Sequence, residues 1–442
     1  MRSISRLALS AAGFAMVATL AGAATPVFAQ KKAEKAAKAE YSKEFKAAAG
    51  AAQAALQQAQ TLNEEAKKLQ ASGNAAGATA KKAEAKAAYL AAKPAIDALV
   101  PVANNGDEQA FVGEYQLQVA INTDDKPGQR AAIERILASG KADPAKAPAY
   151  NYFAGAFAYE AKDYAKAIER LTVARQLGNK DADPILMDAY LQGGQTEQGI
   201  KMAREAIAAR QTSGQPMSEE LFSRPALALQ KAGRKAEMME FVLGRLQHFP
   251  TKAYWENAIA VQLQQTAATD AKLDLLRLKS TAGVMADDYD YATYSYLAAE
   301  EGLPAESLAA INEARSKVTV GAAAAAEMKD RETKQRARLA TDTKASLSGS
   351  EASARSAANG RIAKSTADAW LNHNEYAKAA AMYQLALEKG GVDADLINTR
   401  LGIALAKQGD KAGAKAAFAK VGGTRAAIAK MWSTYVDTGV KR

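Results

Sequence analysis

Hydrophobic and small residues recur in steps of three and four along residues 41–69. Such steps return to one face of an α-helix, so the pattern predicts one long helix with an apolar stripe. The stripe consists of Tyr41, Phe45, Ala48, Ala52, Ala55, Ala59, Leu62, Ala66 and Leu69. After Gly73 and Gly77, a second helix is predicted over 78–92, with Ala80, Ala83, Ala87 and Leu90 on one side. We predict an antiparallel helical hairpin; a mobile Lys/Ala-rich arm is the alternative, because alanine buries little area.

Helical spacing then returns in units of fixed length. In the segment 152–178, Gly155 marks a close approach of two helices, and a second helix is predicted from Tyr164, Ala167, Leu171 and Ala174. In the segment 398–421, a first helix with Leu401 and Gly402 is followed by a turn at Gly409 and by a second helix with Ala414 and Phe418. Equivalent alanines, Ala379 and Ala414, are 35 residues apart. A period close to this length is typical of stacked helical repeats.

At these residues the chain resembles the tetratricopeptide repeat family, whose unit is two antiparallel helices of about 34 residues. Weaker units are predicted near 107–139, 180–213, 219–250, 253–285 and 288–316, and residues 426–436 read as a capping helix with Lys430, Ser433 and Asp437 on its polar face. The resemblance implies an all-α fold, a right-handed superhelical solenoid of antiparallel helix pairs, preceded by the Ala/Lys-rich hairpin.

Five segments follow from these patterns. They are a signal peptide (1–29), the hairpin (30–104), tetratricopeptide-like repeats (105–316), an Ala/Ser/Lys-rich segment (317–360), and C-terminal repeats with the capping helix (361–442). In the fourth segment we predict a helix over 322–340 and then a flexible link. A continuous solenoid with one exposed long helix is the alternative.

The first residues have the pattern of a secretory signal peptide. Arg2 and Arg6 precede a short apolar run over 7–20, and small residues stand at the positions read by a signal peptidase, with cleavage expected after Ala29. We therefore predict a periplasmic protein of a double-membraned bacterium, and an uncleaved anchor is the alternative. The chain has no cysteine, which excludes disulfides, thiolate metal sites and lipid attachment, and suits an oxidising compartment.

The net charge of +10 is concentrated in two stretches. Residues 31–100 hold 12 basic and 7 acidic side chains, and residues 316–364 hold 10 and 5. A basic face could meet nucleic acid, anionic lipid or a polyanionic envelope polymer, or it could simply be solvated. Export argues against nucleic acid, so an anionic polymer or lipid surface remains as a possible partner.

The sequence gives little support for a catalytic function. The two histidines, His248 and His373, stand at a predicted helix end and a predicted turn, and we expect no metal and no cofactor. The carboxylates Asp287, Asp288 and Asp290 lie among tyrosines and could serve a glycan site, but aspartates also favour a helix start. We interpret them as a helix start and expect that replacing Asp288 and Asp290 lowers stability slightly.

In the tetratricopeptide family, the first helix of each pair lines a concave groove. The resemblance therefore implies a groove lined by Tyr152, Tyr159, Asp188, Gln192, Arg224, Gln230, Tyr289, Tyr296, Arg361, Lys364, Asp368 and Asn372. Some members hold a partner's C-terminal carboxylate with lysines and asparagines in this groove. Asp368 stands where an asparagine is expected, so that clamp is not expected here.

These observations favour an exported, non-enzymatic scaffold that binds protein partners in its groove within the bacterial envelope. A polyanion-binding, glycan-binding or enzyme-associated module for cell-wall or exported polysaccharide is the alternative. Self-association through the 41–69 stripe is a third hypothesis. Neither the partner nor the oligomeric state follows from the sequence.

Overall fold

The computed structural model describes residues 39–341 and 344–441, which fold into helices joined by short turns. They divide into two compact units, the first ending at Met202 and the second beginning at Ala203, with the boundary inside α8. The predicted signal peptide, 1–29, lies outside the described residues. The helices as far as the boundary are α1 (Lys43–Ala71), α2 (Ala75–Asp97), α3 (Gly106–Asn122), α4 (Lys126–Ala138), α5 (Ala147–Glu160), α6 (Tyr164–Gln176), α7 (Ala182–Gln192) and α8 (Thr196–Ser213).

The second unit continues the all-α architecture. Its helices are α9 (Glu220–Lys231), α10 (Lys235–His248), α11 (Lys252–Gln265), α12 (Thr269–Thr281), α13 (Asp288–Glu300), α14 (Pro304–Lys317), α15 (Ala322–Leu339), α16 (Lys344–Ser356), α17 (Arg361–Asn372), α18 (Tyr376–Lys389), α19 (Ala394–Gln408), α20 (Lys411–Phe418) and α21 (Ala426–Thr438). Over the described residues there is no strand, so the predicted all-α class is confirmed. None of these helices combines the length and apolar character that a membrane span requires.

The N-terminal hairpin is formed by α1 and α2, as predicted. Phe45 and Ala52 from α1 share a core with Tyr89 and Ile96 from α2 and with Tyr115 from α3. The 41–69 stripe is therefore largely covered within its own unit, which leaves little of it for self-association. The stripe predicted for α2 is wrong: Ala80, Ala83, Ala87 and Leu90 are exposed, and the buried face carries Ala78, Ala85, Tyr89, Ala92 and Ile96.

Beyond the hairpin, consecutive helices pack in the predicted antiparallel pairs. The pairs α3 with α4, α5 with α6, α13 with α14, and α19 with α20 correspond to predicted units. Glycine allows the closest approaches: a Cβ added at Gly155 would lie 2.5 Å from Leu171, and one added at Gly402 would lie 2.4 Å from Phe418. The tetratricopeptide-like pairing therefore follows from small residues facing large ones across each pair.

The Ala/Ser/Lys-rich segment contains two helices. The predicted helix over 322–340 is present as α15, which packs against α13 and α14. The flexible link predicted after it is wrong for residues 344–356, which form α16. Leu347 and Ala354 of α16 are buried against α17 and its neighbours, so tertiary packing offsets the low helix propensity of serine and glycine. The boundaries proposed for the five segments stay predictions.

The last helix, α21, contacts helices from much earlier in the second unit. It packs on α10, α12 and α19 as well as on α20. Trp432 is fully buried and its indole donates a hydrogen bond to the backbone oxygen of Asp274 at 3.0 Å. Beyond the helix, the backbone nitrogen of Lys441 donates to the backbone oxygen of Pro250 at 2.7 Å. The predicted polar residues Lys430 and Asp437 are exposed, but α21 joins distant helices rather than merely capping the last pair.

Candidate functional site

The groove residues predicted for the first unit are only partly accessible. Tyr152 is buried in the core of α5, α6 and α7. Asp188 is also buried, and it accepts a hydrogen bond from the hydroxyl of Tyr159, which joins α5 to α7. Gln192 is exposed. The expectation that Tyr152 and Asp188 face a partner is therefore corrected, because packing and hydrogen bonding between helices occupy both.

A similar correction applies to α17 in the second unit. Asp368 is buried and accepts hydrogen bonds from Lys364 at 2.8 Å, Arg400 at 2.8 Å and Tyr383 at 2.6 Å. Burial alone would raise the pKa of Asp368, but Arg400 and Lys364 hold it below its usual range. This carboxylate is an internal anchor between helices and does not line an open groove.

Asn372 is buried as well, and its side-chain oxygen accepts the backbone N–H of Glu306 at 2.8 Å. This contact fixes the end of α17 to the start of α14. Of the other predicted positions in this unit, Gln230 and Arg361 are exposed, whereas Arg224 is partly buried. The predicted residues thus do not form one continuous lining.

Charged side chains occupy the interior of the second unit. Asp274 accepts hydrogen bonds from Arg277 and from Arg425, each at 2.7 Å, and Arg400 lies 3.6 Å from the same carboxylate. Arg277 also makes two hydrogen bonds of 2.7 Å to Glu306. We call this set, with Asp368, the buried ion network. Each arginine therefore has a carboxylate partner, and the pairs connect α12, α14, α17 and α19 to one another.

Two of the predicted groove residues do face an open cleft. Tyr289 and Tyr296 on α13 are 73% and 47% exposed. They line a cleft of about 1250 Å³ whose opposite wall is α15. Exposed tyrosines beside a concave surface are typical of protein-binding sites, because a large rigid ring is desolvated at little entropic cost. We call this feature the α13–α15 cleft.

Polar contacts hold α15 in place as the second wall. The backbone nitrogen of Gly321 donates to Asp288 at 2.9 Å, at the start of both helices. Arg331 donates to Ser295 Oγ at 2.8 Å, and its guanidinium lies 5.4 Å from the ring centroid of Tyr296. Arg338 donates to a backbone oxygen of α13 at 3.3 Å. Contacts along the whole length of α15 therefore fix the width of the cleft.

The aspartates at the start of α13 have structural roles, as interpreted from the sequence. Asp287 caps the helix by accepting the backbone N–H of Asp290 at 3.1 Å. Asp290 is buried and pairs with Lys279 at 2.5 Å. Replacing Asp290 should lower stability by more than the slight amount expected from the sequence, because its removal leaves a buried ammonium unpaired.

The lining of the cleft combines tyrosines with side chains of both charges, including Asp288, Glu300, Glu327 and Arg331. No histidine is among its lining residues. His248 ends α10 and His373 follows α17, the helix-end and turn positions expected for them. Among residues 39–341 and 344–441, no group of three or more His, Asp or Glu side chains is arranged to hold a metal ion.

The contribution of α15 to the cleft was not predicted from the sequence. A signal was present, because Met328, Arg331, Gln335 and Arg338 recur in steps of three and four. Met328 and Gln335 are buried, and the two arginines reach α13. The surrounding alanines, lysines and arginines had suggested a solvated helix, so its role as a wall was not predicted.

Known proteins resemble this chain in structure rather than in sequence. No family model and no curated protein matches the chain. Among solved structures, a tetratricopeptide repeat protein from Parabacteroides merdae is 13% identical, with a TM-score of 0.26 and coverage of 65% of this chain and 98% of that chain. Yeast Tom70 is 12% identical, with a TM-score of 0.18 and coverage of 86% and 88%. A chain in the Naa15/Naa10 complex bound to HypK-THB is 15% identical, with a TM-score of 0.22 and coverage of 87% and 68%. At such low TM-scores the fold assignment rests on the helix pairs themselves.

Proposed function

We propose that this protein is a non-enzymatic helical-repeat scaffold that binds a segment of a partner protein in the α13–α15 cleft. The exposure of Tyr289 and Tyr296 on one wall of that cleft carries the proposal. Elsewhere in the second unit, first-helix residues such as Asp368 and Asn372 are used internally. The cleft thus retains what the predicted groove requires, which is accessible aromatic surface beside polar groups.

The spacing of the tyrosines suggests how a segment would lie. They are seven residues apart, or about 10 Å along the helix axis at 1.5 Å per residue. A polyproline II chain has three residues per turn and rises about 3.1 Å per residue, so its side chains at i and i+3 lie on one face about 9 Å apart, close to the spacing of the two rings. Lys272, Glu300 and Glu327 also line the cleft and supply both signs of charge. We therefore expect a segment in the polyproline II conformation with two apolar or aromatic anchors in an i, i+3 arrangement.

A cross-linked pull-down from the native cell envelope tests this function. The bait is tagged protein with residues 30–442, and the matched baits are Tyr289→Ser/Tyr296→Ser and Leu227→Ser. Leu227 is 48% exposed and is not among the cleft residues, so it controls for loss of apolar surface. We expect one or two stoichiometric partners that disappear only with the double tyrosine variant. Partners retained by that variant would show that the cleft is not the binding site.

The cellular location is part of the proposal. The arginines, apolar run and Ala29 cleavage site support export to the periplasm. N-terminal sequencing of protein purified from its native cells should begin at Gln30. A chain that begins at Met1 would contradict cleavage and favour the anchored alternative.

Binding of a polyanion is less well supported by the hairpin. Lysines of α1 and α2 already pair with carboxylates, Lys67 with Glu64 at 2.6 Å and Lys93 with Asp97 at 2.6 Å. Such pairing reduces the positive potential available to a polymer. Measuring the affinity at several salt concentrations distinguishes the two functions. Binding through lysines weakens steeply with ionic strength, whereas tyrosine-mediated binding changes little.

A further inference from the structure

A second cavity in the second unit is smaller and more enclosed than the cleft. It has a volume of about 240 Å³ and lies among α12, α13, α14, α17, α18 and α19. Its wall includes Ser280, Tyr294, Glu306, Glu313, Tyr376 and Lys407. A cavity of this size and polarity suits one small polar molecule.

Part of this wall is saturated by its own hydrogen bonds. Glu306 accepts two hydrogen bonds from Arg277 and a third from the hydroxyl of Tyr294 at 2.8 Å. The hydroxyl of Tyr376 donates to Asn374 at 2.8 Å. These groups shape the cavity but have little capacity left for a ligand.

Two other side chains of the cavity, Lys407 and Glu313, retain capacity to bind a ligand. Lys407 is partly buried, and no described carboxylate forms an ion pair with its ammonium group; the Tyr376 ring centroid lies 5.8 Å away. Burial lowers the pKa of Lys407, although Glu306 and Glu313 act in the opposite sense. Glu313 has only long contacts, with Ser280 Oγ at 3.3 Å and Lys317 Nζ at 3.3 Å. One cation and one anion with spare capacity therefore face the same cavity.

We propose that this cavity binds a compact zwitterion, a free α-amino acid, with its carboxylate on Lys407 and its ammonium on Glu313. A simple anion would meet the carboxylates of Glu306 and Glu313, and a simple cation would meet Arg277 and Lys407. A dipolar ligand satisfies both sides at once. The site is separate from the α13–α15 cleft, so it goes beyond the scaffold function and can fail independently of it.

Calorimetric titration of the mature protein with each of the twenty common L-amino acids tests the proposal. Propionate and ethylamine serve as probes that carry only one of the two charges. We expect at least one amino acid to bind at millimolar concentration or better, and neither single-charge probe to bind at the same concentration. Absence of binding by every amino acid would overturn the site, and equal binding of propionate would overturn its zwitterion specificity.

Variants locate the bound molecule. Lys407→Met and Glu313→Gln should each weaken binding roughly 30-fold or more, since loss of one member of a desolvated charge pair is costly. Lys407→Met should still fold, because it replaces a partly buried ammonium by an apolar chain of similar length. Lys420→Met removes an exposed charge of the same unit and should leave affinity unchanged. Wild-type affinity in both cavity variants would place any binding elsewhere.

Discussion

Removal of the Asp274 carboxylate should destabilise the second unit strongly. The side chain is fully buried and accepts two hydrogen bonds of 2.7 Å, from Arg277 and Arg425, with Arg400 at 3.6 Å. Asp274→Ala would leave these guanidinium groups in the interior with one carboxylate fewer. The cost therefore arises from buried positive charge that is no longer compensated, and not only from two lost hydrogen bonds.

The magnitude follows from these contacts. A hydrogen bond to a charged group contributes about 1.5–3 kcal/mol, so the two short ones together contribute about 3–6 kcal/mol. Breaking a buried ion pair by removing one partner costs about 3–5 kcal/mol. Arg277 keeps Glu306 and Arg400 keeps Asp368, which favours the lower end, about 3 kcal/mol. For a unit of this size we expect a fall of roughly 6–12 °C in unfolding temperature.

Tryptophan fluorescence can follow this unit alone. All three tryptophans of the chain, Trp255, Trp370 and Trp432, lie in the second unit. The matched control is Asp437→Ala, which removes a half-exposed carboxylate paired with Lys415 at 2.7 Å and should cost about 0–1 kcal/mol. If the Asp274 variant loses no more stability than the Asp437 variant, the reasoning about the buried ion network is refuted.

Three further effects should appear in the same fluorescence assay. Gly402→Ala should lower stability by about 1–3 kcal/mol, because the new Cβ would lie 2.4 Å from Phe418. Asp290→Ala should cost about 3–5 kcal/mol, because it leaves Lys279 buried without its partner. Acid should also destabilise this unit: Arg277 holds the pKa of Glu306 below its ordinary 4.5 although burial opposes the shift. Stability from this group is thus present above about pH 4.5 and is lost as the pH falls through the lowered pKa, which urea unfolding at several pH values would measure.

Each of these effects has a control or a contrary outcome. Gly349→Ala, at a helical glycine with open space around its Cβ position, should be neutral or stabilising. An Asp290 variant as stable as the Asp437 variant would mean that the Lys279 ammonium does not depend on Asp290 as its partner. Unfolding free energy that stays constant from pH 6 to pH 3 would contradict the role assigned to Glu306.

The helix pairs could be predicted because their signal is local. Gly402 and Phe418 stand at fixed positions of one unit, and their complementary sizes need no information from elsewhere in the chain. The face of α2 was mispredicted for the converse reason. Alanines occur on every side of that helix, so Tyr89 and Ile96 determine which side is buried, and the predicted window ended before Ile96.

The buried ion network could not be predicted from the sequence. Arg425 and Asp274 are 151 residues apart, and the local pattern around neither residue predicts that it is buried. Asp368 was assigned to the groove by the same logic, whereas in the folded chain Arg400 reaches it from α19. Only one wall of the α13–α15 cleft was predicted, the one that carries Tyr289 and Tyr296. The second wall, α15, depends on contacts that arginines make across helices.

Contact between α21 and the helices near residue 250 affects how the chain can be made. An array of repeats with only neighbouring contacts can fold progressively as each pair leaves the ribosome. Here Trp255 donates its indole N–H to the backbone oxygen of Gly439 at 3.0 Å, across 184 residues. Helices α10 to α12 therefore cannot complete their packing until residues 426–441 have been synthesised. Until then, the apolar surface that α21 covers in the folded chain stays exposed.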